Sequence, residues 1–180
     1  CTSGGLDSTI IAYYAKKYFK KVNCITGLIL NDKDQILNYN DYLASKKVCK
    51  YLGCKQTFVN IKKENIFYNL KKIMYSCQDW RDYNVHCASI NFIIAKHLNK
   101  KNTCKLPLFT GDFMNEICAD YNTEVYNNKK YYKVPNIPKT YKQRFFINGL
   151  DSSDREIGVF NYFKISAYQP FSSVYDLYLN

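Results

Sequence analysis

What the sequence lacks narrows its reading first. It has eight cysteines, yet no two of them are spaced Cys-x-x-Cys, so the closely spaced ligand pairs of a structural zinc site are missing. Cys1, Cys24, Cys49, Cys54, Cys77, Cys87, Cys104 and Cys118 are scattered, several inside apolar words such as VNCIT and EICAD. That placement reads as free thiols packed as small apolar side chains in a reducing, cytoplasmic compartment. No apolar run approaches the ~20 residues of a membrane-spanning helix, so no membrane partner is expected. No secretory leader is visible, and because the chain opens directly on its glycines a targeting segment upstream of them stays an open alternative. The Walker word Gly-Lys-Ser/Thr is also absent. Arginine is scarce, with only Arg81, Arg144 and Arg155.

What is present describes a packed globule. Hydrophobic residues make up 47% and aromatic residues 17% of 180 positions, a one-domain length that buries roughly two thirds of its unfolded surface. The net charge of +11 has two readings. Clustered lysine attracts phosphate backbones, whereas a chain this rich in Lys, Asn, Ile and Tyr also fits compositional drift.

Helix and strand patterns alternate along the chain. STIIAYYAKKYF places Ile10, Ile11, Tyr14, Ala15 and Tyr18 on one helical face. Residues 21–30 form a nearly continuous β-branched, apolar run, the look of a buried parallel strand. YLASKKVCKYLG spaces Ala44, Val48, Tyr51 and Leu52 as a helix that Gly53 would stop. A strand is expected at 56–61, and a helix carrying Ile66, Leu70, Ile73 and Met74 follows it. A further, mostly apolar helix covers NVHCASINFIIAKHL, and a strand at 105–112 runs into a turn. Residues 121–143, polar and lysine-rich, predict a long loop or short hairpin, and the last forty suggest a helix and a short strand. No repeat is visible. The pattern predicts one α/β domain over residues 1–180 with a mostly parallel central sheet flanked by helices.

The chemistry concentrates at the start, in SGGLDST. A glycine pair can bring backbone N–H groups close to a ligand, and the following helix start offers free donors and partial positive charge. Gly4 and Gly5 with the hydroxyls of Ser3, Ser8 and Thr9 therefore make an anion cradle suited to phosphate. Asp7 repels phosphate directly and makes sense as a ligand of Mg²⁺ bridging phosphate oxygens. A carboxylate serving only the helix start is the simpler alternative.

Ser-Gly-Gly-x-Asp-Ser resembles the PP-loop of ATP pyrophosphatases, which cleave ATP between its α and β phosphates. Further on, FTGDFMNEICADY is similar to the asparagine synthetase word Ser-Gly-Glu-Gly-x-Asp-Glu, with Thr110, Gly111, Asp112, Glu116 and Tyr121 at corresponding places. LDSSDREIGVFNYFKISAYQPF resembles the stretch in which an Arg precedes a Pro-Phe-Leu-Asp turn. The likeness covers nearly the whole chain in order, so the chain is identified as a divergent asparagine synthetase-like domain of the adenine nucleotide alpha hydrolase-like fold.

The resemblance implies an ATP-dependent ligase that adenylates a carboxylate and forms an amide or related C–N bond, releasing AMP and pyrophosphate. It implies Asp7, Asp112, Glu116 and Arg155 as catalytic residues, the first three on Mg²⁺. ATP would lie on Ser3, Gly4, Gly5, Asp7, Ser8 and Thr9, with Thr26, Thr110 and Gly111 at its sugar or adenine. The substrate would be a small carboxylate or amino acid, with a glutaminase domain or ammonia source elsewhere. Departures are plain: Asn115 stands at the family's second magnesium aspartate and Ser173 at the aspartate of the turn. The strand before the PP-loop and the family's later lysine are missing, which predicts a fragment lacking its first strand and C-terminal part. A PP-loop enzyme acting on tRNA and a non-catalytic ATP-binding remnant are the alternative readings. Cys1 is expected to be incidental, and His86 and His97 to be surface or packing histidines.

Overall fold

Helix α1 (Leu6–Tyr18) starts directly on the glycine pair and turns its Ser8, Ile11 and Ala12 inward. Of the stripe expected from its apolar spacing Ile11 is buried, but Tyr14 and Tyr18 stay exposed. Ala12, small enough to lie close to the sheet, packs there with Cys24 and Cys49. The structure is a computed structural model, and it describes residues 1–101, 106–112, 114, 123–132 and 152–173.

Strand β1 (Asn23–Leu30) pairs in parallel with β2 (Lys55–Lys62), joined by helix α2 (Tyr39–Leu52). Gly53 ends α2 in the left-handed conformation at φ 61, as its sequence predicts. Helices α3 (Lys63–Cys77) and α4 (Asp82–Lys100) follow, then the short strand β3 (Leu108–Phe109). A hairpin of β4 (Thr123–Tyr126) and β5 (Lys129–Tyr132) turns on Asn127 and Asn128, both at positive φ. Two consecutive residues in that region make the tight hairpin turn that asparagine tolerates. Helix α5 (Ser152–Tyr162) leads to β6 (Ala167–Tyr168), which pairs in parallel with β3.

Residues 1 and 2 lie between the two parallel pairs. The Thr2 N–H donates to Ile25 O at 2.8 Å, and the Cys1 backbone nitrogen donates to Phe109 O at 2.7 Å. Those bonds tie β1–β2 to β3–β6 and aim the glycine loop past the carboxyl ends of the strands. Alternation along β1 sends Cys24 toward α1 and α2 and Ile25 toward the larger core. That core is built from Ile61, Ile73, Phe92, Val159 and Phe160, so α3, α4 and α5 cover the second face. Helices thus flank a small, mainly parallel sheet on both sides.

Candidate functional site

The loop at residues 3–5 holds its shape by local bonds and close packing. Gly4 has φ 89, and a Cβ there would sit 2.5 Å from both the Ala44 Cβ and the Ser45 nitrogen. Only glycine meets both demands. Ser8 accepts from the Ser3 N–H at 3.2 Å and donates to Gly5 O at 3.2 Å, while Thr9 Oγ1 donates to Gly5 O at 2.7 Å. The Ser8 and Thr9 hydroxyl protons therefore shape the loop. Gly5 is the N-cap of α1 and no side chain caps that helix, so Asp7, in the first turn, is not a cap.

Two distant words meet here. A Cβ on Gly111 would lie 2.8 Å from the Ser8 nitrogen and 3.0 Å from the Asp7 carbonyl carbon, so the turn after β3 rests on the first turn of α1. A cavity of about 330 Å³ opens between them, within the usual size of a small-ligand site. Ser3, Gly5, Asp7 and Ser8 line one side, Thr26 and Gly27 the floor, and Thr110, Gly111 and Asp112 the other side. It lies past the carboxyl end of β3, the side on which open α/β sheets bind ligands, and alongside Ile25, Thr26, Gly27 and Ile29 of β1. Gly4 shapes the wall through α2 without itself lining the cavity.

Two carboxylates, Asp7 and Asp112, line this cavity. Burial raises the Asp7 pKa, and the Asp112 charge adds to the rise. Two carboxylates at one cavity match the way Mg²⁺ is held, by one or two carboxylates plus phosphate oxygens. Among the described residues no group of three or more His, Cys, Asp or Glu side chains gathers to hold a metal alone. Thr110 Oγ1, buried at the cavity, has no hydrogen-bond partner among the described residues, although its N–H reaches Tyr168 O at 3.0 Å. A buried hydroxyl left unpaired beside a cavity suits a bound ligand. Thr26 Oγ1 instead donates to Thr2 O at 2.7 Å.

Arg155 is placed apart from the cavity lining. Its Nε and Nη2 each lie 2.7 Å from Glu156 Oε1, and Nη1 donates to Asn84 Oδ1 at 2.7 Å. Burial pushes the Glu156 carboxyl up to about 7, helped by the Asp112 charge and opposed by the Arg155 guanidinium. Asn91, which lines the cavity, reaches the same Glu156 oxygen at 3.4 Å. Neither Asn91 nor Glu156 was foreseen from sequence: one is a polar residue inside an apolar helix, the other simply the neighbour of an arginine. Asn115, Glu116 and Tyr121 lie outside the described residues. Burial lowers the His97 pKa, in keeping with a packing role.

The asparagine synthase family profile matches residues 1–156. The chain is similar to asparagine synthetase (glutamine-hydrolyzing) of Rattus norvegicus, 25% identical over 122 residues, and of Gallus gallus, 25% identical over 119 residues. Each match covers 66% of this chain and 21% of the relative, so the chain spans only a minor part of the length of these curated relatives.

Proposed function

Because the chain belongs to the asparagine synthase family, we propose that it binds Mg²⁺ and ATP in the cavity between α1 and the turn after β3, as the nucleotide site of an ATP-dependent amide-forming ligase. The observation that carries this reading is that Asp7 and Asp112, from two separate motifs, line one cavity beside an uncapped helix start. In the proposed reaction a substrate carboxylate takes AMP from ATP and releases pyrophosphate. An amine then displaces AMP to leave an amide and a proton.

The residues of this chain have separate tasks. Backbone N–H groups at Gly5 and the first turn of α1 bind phosphate oxygens and stabilise charge on the departing pyrophosphate. Asp7 and Asp112 would hold the metal; Glu116, the third carboxylate the family resemblance implies, lies outside the described residues. Thr110 Oγ1 and Gly111 meet the nucleoside, and the chain near Thr26 supports the adenine. Arg155 acts as a positioning residue through Glu156 and Asn91 rather than on phosphate. A cytoplasmic setting is part of the proposal, supported by the free thiols of Cys24, Cys49 and Cys77, buried in the fold. Among the described residues no helix is long and apolar enough to cross a membrane.

The test uses ATP labelled in its α-phosphate with Mg²⁺ and the full-length gene product, with pooled amino and dicarboxylic acids plus ammonia in one tube and bulk tRNA in another. Labelled AMP that depends on the acids supports the proposal. Labelled ADP, or AMP only with tRNA, overturns it.

A further inference from the structure

The charge of the chain is unevenly placed. Between Ser8 and Asn31, and again between Tyr42 and Lys63, there is no aspartate or glutamate. Those two stretches supply most of α1, β1, most of α2, and β2. Their lysines gather at one end of the fold. Lys17, Lys20 and Lys21 cluster at the end of α1 and before β1, and Lys47, Lys50 and Lys55 at the end of α2 and start of β2, all exposed. The two groups are neighbours: Ala12 of α1 and Cys49 of α2 share one apolar cluster, with Cys54 packed against it. Burial raises the Cys54 thiol pKa, and the nearby Lys16 charge opposes that rise.

Two simpler accounts do not cover these residues. Lysines complement the partial negative charge of a helix C-terminus, but only Lys16, Lys17 and Lys50 stand in a last turn, leaving Lys20, Lys21, Lys47 and Lys55. Ion pairing does not explain them either. At the opposite ends of the strands Lys62 and Lys63 pair with Asp34 and Asp32, while among the described residues none of the six clustered lysines has an ion-pair partner.

Aromatic rings stand among the lysines. Tyr18 is 72% and Tyr51 88% exposed, well beyond what packing requires. Exposed rings beside lysines are a stacking platform for unpaired bases, with the lysines following the backbone. A duplex hides its base faces and could use only the charge.

We propose that this end of the fold, opposite the nucleotide cavity, is a docking surface for single-stranded nucleic acid. With lysine as the cation, recognition is of backbone and base faces, not of sequence.

Fluorescence anisotropy of the full chain with a labelled oligouridylate and a matching oligothymidylate of about 16 nucleotides, beside a duplex of the same length, tests this. Phosphatidylserine vesicles form a further arm. Binding to the single strands tighter than to the duplex is expected, and at constant Mg²⁺ and ionic strength it is unaffected by saturating ATP. Six contacts predict a log–log salt slope of about −4. Lys20→Glu with Lys21→Glu, and Lys47→Glu with Lys50→Glu, each weaken it at least about tenfold. Tyr18→Ala with Tyr51→Ala also weakens it about tenfold or more on single strands, with duplex binding unchanged. These positions are exposed, and an unchanged circular dichroism spectrum confirms that each variant is folded. Absence of low-salt binding, indifference to charge reversal, indifference to the tyrosine change, or capture by vesicles in place of the strands overturns the proposal.

Discussion

Gly111 lies directly against the first turn of α1: a Cβ there would come 2.8 Å from the Ser8 nitrogen, against backbone atoms with no rotamer to yield. This contact holds the Asp112 turn beside Asp7, and it makes both halves of the cavity depend on one missing methyl group.

Gly111→Ala is therefore expected to separate the two walls. Overpacking of this kind costs about 1–3 kcal/mol, and Mg²⁺-dependent ATP affinity should fall at least about tenfold. Gly53→Ala is the contrast. Gly53 has φ 61 and nothing within 4 Å of an added Cβ, so it should lose about 1 kcal/mol of stability with ATP affinity unchanged. Chemical denaturation and calorimetric ATP titration of both variants read the difference.

Glu156 sets a pH dependence. Its ordinary value is 4.5 and the folded carboxyl holds its proton up to about 7, so between those values the folded state carries the extra proton. Stability then falls as pH rises from about 4.5 to about 7 and levels off above, by up to about 3 kcal/mol. Glu156→Gln should flatten that slope in urea melts across this window. Asp79 does not interfere. Its Arg81 partner lowers its pKa below the ordinary 3.8, so its contribution is lost only in stronger acid.

Cys49 should be inert in the native protein. Burial, with Cys24 beside it, pushes its thiol up to about 12, leaving almost no thiolate at neutral pH. Mass spectrometry after brief iodoacetamide treatment should find Cys49 unmodified in native protein and alkylated in denaturant.

Much of this architecture was legible because local rules and tertiary packing agree. Gly53 ends α2 where a left-handed residue is needed, and the β-branched run of β1 is a buried parallel strand. The α1 stripe misled because apolar spacing does not reveal that Ala12, rather than Tyr14, fits against Cys24 and Cys49. β3 is shorter than its apolar word because, among the described residues, only Leu108 and Phe109 find strand partners, at Ala167 and Tyr168. The site's glycines were readable as a loop, but their strictest requirement is tertiary: Gly4 against Ser45 and Gly111 against Ser8. The resemblance implied a catalytic Arg155; its pairing with the adjacent Glu156 was hidden since neighbouring residues on a helix do not face each other.

The most direct test of the central claim is a calorimetric titration of the full-length protein and its Asp7→Asn variant with a non-cleavable ATP analogue, with and without Mg²⁺. The account predicts metal-dependent binding to the wild type and a loss of at least about tenfold, or about 1.4 kcal/mol, in the variant. Equal affinity in both proteins, or binding indifferent to Mg²⁺, would contradict it.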